Sequence, residues 1–230
     1  KLPGIEIAGL HMHIGSQILS SAPFAEAAEK VAAVVRQLKG LYPTFTHLDI
    51  GGGIGIRYKA DQEPLLPDTF AKAVVPILKP LGVKIVMEPG RFLVGNAGIL
   101  VTRVQYVKDG PSKKFVIVDA AMNDLIRPPL YQAHHDIAAI RETPKTYTGD
   151  LVGPICESAD FFALDRELPA FARGDLAAIM SAGAYGFSMA SNYNSRGRAA
   201  EIMVAGKRAE VVRARETIED VVRGEVVPKW

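Results

Sequence analysis

Residues 46–55 read Thr-His-Leu-Asp-Ile-Gly-Gly-Gly-Ile-Gly. Thr46–Ile50 has the character of a short strand, and Gly51-Gly52-Gly53 closes it. Upstream, Phe24, Ala27, Ala28, Val31, Val34, Val35 and Leu38 recur at three- and four-residue spacing. That spacing predicts a helix over Pro23–Leu38 with one apolar face, and Gly40 is placed to stop it. Before it, Ile5–His13 reads as a strand that ends at Ile14-Gly15-Ser16. Downstream, Asp68–Leu78 reads as a second helix, with Asp68 or Thr69 as N-cap. Pro76 inside it is expected to kink or shorten it. Val83–Met87 is the third strand, followed by Glu88-Pro89-Gly90-Arg91. Strand, helix, strand, helix, strand is the grammar of parallel βα units, whose ligands sit at the strands' C-terminal ends.

Beyond about Gly98 the grammar changes. Ile99–Val107, Lys114–Asp119, Thr146–Leu151, Leu176–Met180 and Ala200–Val204 read as strands. Gly206-Lys207 turns the last of these into Ala209–Ala214, and Thr217–Val222 reads as a short helix. Runs of strands after βα units imply a second, mostly β domain. The expected boundary divides residues 1–98 from 99–230.

Composition narrows the function classes. Apolar residues are 48% and charged residues 23%, the proportions of a globular chain rather than a disordered one. Lys+Arg 27 against Asp+Glu 25 gives a net charge of +2, too small for a general pull on nucleic acid or acidic lipid. Anion binding must then be local. A single cysteine, Cys156, excludes an internal disulfide. No apolar run reaches membrane-spanning length. The start, Lys1-Leu2-Pro3-Gly4, lacks signal-peptide character, so a cytoplasmic protein is expected.

The unusual residues cluster just after strands. His13 is placed to stack on or hydrogen-bond a ring, and Ser16 to donate to a phosphate, although a partly buried histidine before a turn fits as well. Gly51, Gly52 and Gly53 suit either a phosphate cradle or a tight βα turn. The spacing fits neither a dinucleotide fingerprint nor a P-loop. Glu88 faces a pocket in this reading, and Arg91 can fork onto phosphate or carboxylate. Arg127 and Tyr131 flank a Pro128-Pro129 segment read as a rigid loop, and both suit a carboxylate. Cys156-Glu157 lies in polar company. Tyr185 offers a hydroxyl at the end of Ser181-Ala182-Gly183-Ala184. His134-His135 lacks further spaced ligands and reads as packing or solvated histidines, so no metal is expected.

Taken in order, HIGSQ, GGGIG, EPGR, NDLIRPPLY, GPICES and SAGAYGFSMASNYN resemble the diaminopimelate decarboxylase family, within the alanine-racemase-like class of pyridoxal-phosphate enzymes. The resemblance runs over essentially all 230 residues. It is most specific at GPICES, where related ornithine decarboxylases carry a Cys-Asp pair. It implies the C-terminal part of a (βα)8 TIM-like barrel followed by a β-sandwich or β-barrel-like domain. It also implies pyridoxal 5'-phosphate as cofactor and decarboxylation of meso-2,6-diaminopimelate to L-lysine. By the same resemblance, His13 stacks on the pyridine ring and Ser16 and Gly51–Gly53 bind the phosphate. Glu88 holds the ring nitrogen protonated, and Tyr185 contacts the cofactor. Arg91 sits with cofactor and substrate, and Arg127 and Tyr131 bind substrate carboxylate. Cys156 assists protonation and Glu157 reads the distal amine, both entering from the partner subunit of a homodimer.

One departure is large. The family's imine-forming lysine, in a Tyr-x-x-Lys-Ala-Asn-like segment, has no counterpart here. The expectation is therefore a C-terminal fragment, inactive alone. The alternatives are a decarboxylase for ornithine, arginine or carboxynorspermidine, and a non-catalytic homologue that binds a partner.

Overall fold

A computed structural model describes residues 3–230, so the reading of Lys1 and Leu2 lies outside the described residues. The chain divides into two compact units, one ending at Gly95 and one running from Asn96 to Trp230. No helix among the described residues is long and apolar enough to cross a membrane.

The first unit is built from β1 (Gly9–His11), α1 (Ala22–Leu41), β2 (His47–Asp49), α2 (Pro67–Leu78), β3 (Lys84–Val86) and α3 (Gly90–Val94). The three strands form one parallel sheet in the order β1-β2-β3. Leu10, Leu48 and Ile85 share one register row, and His11, Asp49 and Val86 the next. Adjacent rows point to opposite faces. Leu48 is buried under the helices, with Phe24, Val31 and Val35 of α1 and Phe70, Val74 and Leu78 of α2. Phe24 and Phe70 meet edge to face at 5.1 Å and 80°, locking α1 to α2. The row of His11 and Asp49 therefore belongs to the face the helices leave open.

Two local expectations need correction. α1 runs through Gly40 and ends at Tyr42, whose N–H caps onto the Leu38 carbonyl. Nothing lies within 4 Å of a Cβ placed at Gly40, so no left-handed turn or close approach calls for glycine there. α2 is entered from Leu66 with Pro67 in its first turn, not from Asp68 or Thr69. Proline's fixed φ and missing N–H suit that position. Pro76 lies inside the helix, which runs to the expected Leu78 and tightens into a 3₁₀ turn over Lys79–Leu81. An interior proline costs about 3 kcal/mol. Burying Val74 and Leu78 beside it returns about 2 kcal/mol each, so the helix persists.

The second unit carries β4 (Leu100–Asp109), β5 (Lys114–Val118), α4 (Arg127–Tyr131), β6 (Ile137–Ala139), β7 (Thr146–Val152), β8 (Phe161–Pro169) and β9 (Leu176–Ile179). These strands form one sheet in the order β6-β9-β4-β5-β7-β8. Its ends, β6 and β8, touch, so the sheet curls into a nearly closed barrel-like form rather than a sandwich. All pairs are antiparallel except β5–β7. Val116, Val118, Leu151, Phe162, Leu168 and Ile179 fill the interior. The hairpin β10 (Glu201–Ala205) and β11 (Arg208–Arg213) turns at Gly206, φ 61°, and forms a separate two-stranded sheet. α5 (Ile218–Val222) starts on a capping box between Thr217 and Asp220.

Two strands, β6 and β8, were not expected from the sequence. β8 is disguised by Asp165-Arg166-Glu167. Asp165 takes φ 48° at an irregularity in the β7–β8 register, and its N–H donates to Asp150 Oδ1 at 2.8 Å. The bulge breaks the two-residue alternation that marks a strand. The Pro128-Pro129 loop is in fact helical, because proline is tolerated in a helix's first turn.

Candidate active site

In the first unit the singled-out residues gather past the C-terminal ends of the parallel strands. Asp49 Oδ1 accepts the Gly51 N–H at 2.8 Å, and the Gly52 N–H donates to His13 Nδ1 at 3.3 Å. A neutral His13 accepting at Nδ1 carries its proton on Nε2. An added Cβ would strike the Met12 carbonyl from Gly51, the Glu88 carbonyl from Gly52 and the Gly15 carbonyl from Gly53. The three glycines thus let three strand ends converge. Two of their N–H groups are already engaged, by Asp49 and by His13, so the cradle narrows to the Gly53 end.

There the loop after β1 is pinned by Gln17. Its side-chain amide donates to the Ile56 carbonyl at 2.6 Å and accepts the Ile56 N–H at 3.1 Å, imitating a strand partner. The preceding residue, Ser16, accepts from Arg91 Nη2 at 3.0 Å, while Arg91 Nη1 donates to Tyr58 Oη at 2.6 Å. A guanidinium and a hydroxyl side by side are suited to a phosphate or carboxylate. Across the same edge, His11 Nε2 and Glu88 Oε2 are 3.2 Å apart. One ligand atom each from His11, Asp49 and Glu88 lies within 4.8 Å of the others, a spacing that also admits a divalent cation, which the sequence reading did not foresee.

The second unit holds the remaining residues. Arg127, first in α4, is buried, and its Nη1 donates to His135 Nε2 at 2.7 Å. His135 is itself buried and bonds the Met180 carbonyl through Nδ1 at 2.8 Å. The ring is therefore neutral with its proton on Nδ1, and burial, reinforced by Arg127, pushes its pKa down to about 4. Tyr131 lies exposed at the other end of α4. Tyr185 sits on a left-handed φ of 60°, in a segment where the Ala182 N–H donates to the Gly98 carbonyl at 2.8 Å.

Cys156 and Glu157 are exposed on the loop between β7 and β8. Glu157 Oε1 accepts the Ala159 N–H at 3.2 Å and Oε2 accepts from Tyr193 Oη at 3.0 Å. The backbone donor first, and the tyrosine second, hold the Glu157 pKa below its ordinary value. Sequence reasoning assigned no role to His11, Gln17, Tyr58 or Asp160, and it read the polar loop around Tyr193 as structural or interfacial. Gln17 lay inside the quoted HIGSQ and Tyr193 inside NYN, so the signal was present; the partners, 39 and 36 residues away, were not readable.

Past the ends of its parallel strands the first unit carries a carboxylate, an imidazole and a guanidinium–hydroxyl pair, and the same chain continues into a β unit. The family model for the pyridoxal-dependent decarboxylase C-terminal sheet domain matches residues 19–183. The chain belongs to that family. Among named relatives, the diaminopimelate decarboxylase of Pseudomonas aeruginosa is 50% identical over 228 residues, covering 98% of this chain and 54% of the relative. The crystal structure of AQ1208 from Aquifex aeolicus superposes with a TM-score of 0.95 at 48% identity, covering 97% of this chain and 56% of that one. Diaminopimelate decarboxylase from Helicobacter pylori, complexed with L-lysine, gives 0.89 at 43%, covering 95% and 54%. The chain spans about half the length of the relatives it matches.

Proposed function

We propose that this chain forms part of a diaminopimelate decarboxylase, which removes CO₂ from meso-2,6-diaminopimelate to give L-lysine. The observation that carries it is the strand-edge group: Glu88, His13 and the Ser16–Arg91 pair past the ends of three parallel strands. In this reading the first unit is part of a (βα)8 barrel whose interior is the open face of the sheet. Identity to a lysine-bound diaminopimelate decarboxylase supports the substrate.

The donor set fits pyridoxal phosphate. A guanidinium beside a hydroxyl suits a dianion, and a carboxylate suits a protonated ring nitrogen. When bound, the cofactor supplies an electron sink for the carbanion left by CO₂. Glu88 holds the proton on the ring nitrogen, and His13 packs against the ring. Ser16, Arg91 and the Gly53 end of the turn take the phosphate, with Tyr185 a further cofactor contact. Arg127 and Tyr131 orient the substrate carboxylate. Glu157, kept ionised, pairs with the distal ammonium, and Cys156 delivers a proton to carbon. In a homodimer, Cys156 and Glu157 serve the partner subunit's site.

The full-length protein, supplied with pyridoxal phosphate, is expected to release CO₂ and lysine from meso-diaminopimelate. Preferential turnover of ornithine or arginine would overturn the substrate assignment. Cofactor binding without any turnover would favour a non-catalytic homologue.

A further inference from the structure

Asp160 is buried, and both of its carboxylate oxygens are engaged by main chain from different segments. Oδ1 accepts the Met122 N–H at 2.7 Å, and Oδ2 accepts the Ile155 N–H at 2.9 Å. Its own backbone closes the loop: the Gly153 N–H donates to the Asp160 carbonyl at 3.0 Å, and the Asp160 N–H donates to the Glu157 carbonyl at 3.0 Å. A Cβ at Gly153 would overlap the Asp160 carboxylate, so only glycine leaves room for the clamp.

The bonds continue into a ring. Next to Met122, the Asn123 carbonyl accepts the Ser191 N–H at 2.9 Å, and Asn123 Oδ1 accepts from Arg196 Nε at 3.0 Å. Between those two anchors stands Tyr193, whose hydroxyl donates to Glu157. The path Asp160, Met122–Asn123, Ser191–Tyr193, Glu157 and back to Asp160 is closed. Glu157 is held at its carboxylate by one arc and at its backbone by the other.

We infer that Asp160 is the positioning residue for Cys156 and Glu157, fixing the loop that presents them to substrate. An apolar side chain there would leave two partly buried N–H groups without their acceptors. Burial of the carboxylate favours its protonation, while the two amides oppose this. This inference rests on the reading of Cys156 and Glu157 as substrate-facing.

The test uses the full-length holoenzyme with Asp160→Asn, which turns one acceptor oxygen into a donor facing an N–H. Expected are faster amide exchange at Met122 or Ile155 and an unchanged affinity for pyridoxal phosphate. The kcat/KM for meso-diaminopimelate should fall about tenfold to a hundredfold, the scale of a misplaced reacting group. Combined with Tyr193→Phe, the loss should be smaller than the product of the single losses, because both act through one ring. Wild-type kcat/KM, multiplicative losses or a matching fall in cofactor affinity would overturn the inference. If Asp160→Asn does not fold, Gly153→Ala is read by the same criteria. If the wild-type protein makes no lysine, the proposed function fails instead. Amide exchange and the alkylation rate of Cys156 by iodoacetamide then decide the clamp, and no change in either would sink it.

Discussion

Arg91 Nη2 donates to Ser16 Oγ at 3.0 Å, joining residues 75 positions apart at one edge of the parallel sheet. The guanidinium is held on its other arm by Tyr58 Oη and lies 5.7 Å from that ring's centroid. It is therefore oriented before any anion arrives, which reduces the entropy lost on binding. Charge-assisted bonds of this kind contribute about 1.5–3 kcal/mol. Arg91→Ala in the full-length protein should raise the Kd for pyridoxal phosphate about 10- to 100-fold. Arg91→Lys should recover only part of this, because the fork is lost. Titration followed by cofactor absorbance reads both, and an unchanged Kd in Arg91→Ala would remove Arg91 from the phosphate site.

His135 predicts an acid limit to stability. Its folded pKa, about 4, lies below the ordinary 6.5. Between those values the unfolded chain binds the proton and the folded one does not. Its contribution is complete above about pH 6.5 and is lost as pH falls towards 4, by about 3 kcal/mol. Urea melts at pH 7 and pH 4.5 should show this loss, and His135→Gln should flatten it. The same variant loosens Arg127, so KM should rise with kcat less affected.

Tyr193→Phe removes one of the two main donors to Glu157. The Glu157 pKa should rise towards its ordinary value but not reach it, because the Ala159 amide is the larger influence. The acid limb of kcat/KM should move to higher pH. An acid limb that stays in place would separate Glu157 from substrate recognition.

The glycines separate steric from conformational demand. Gly52 does not take a positive φ, yet its Cβ would strike the Glu88 carbonyl. Gly52→Ala should cost about 1–3 kcal/mol and lower Tm by several degrees. Gly40→Ala, inside α1 with nothing nearby, should raise stability by about 0.5–1 kcal/mol. Thermal melts of the two variants should move in opposite directions.

These cases show which parts of the fold were legible. The βα alternation was readable because α1 and α2 keep apolar faces that pack on Leu48 of β2. β8 was not, because the Asp165 bulge is paired to Asp150 and answers to no local rule. α4 was misread because two prolines signal a loop in isolation, although the first turn of a helix spends no N–H on them. For the site, residue types past the strand ends were visible. Which group each one touches was not: the partners of Arg91, Glu157 and Asp160 lie 75, 36 and 38 positions away.

The parallel pairing of β5 with β7 bears on how the second unit folds. Parallel neighbours cannot be joined by a hairpin, so the chain between Val118 and Thr146 must leave the sheet and return. That excursion contains the Asp119–Asp124 turn, α4 and β6, and β6 docks at the far side of the sheet beside β9. Sheet closure thus waits on a long-range event, the slow kind in folding. Arg127, His135 and the Met122 amide that Asp160 captures all ride on this connection. The segment proposed to orient the substrate is thus laid down by the same event that completes the sheet, and a chain that has closed its β unit has already assembled it.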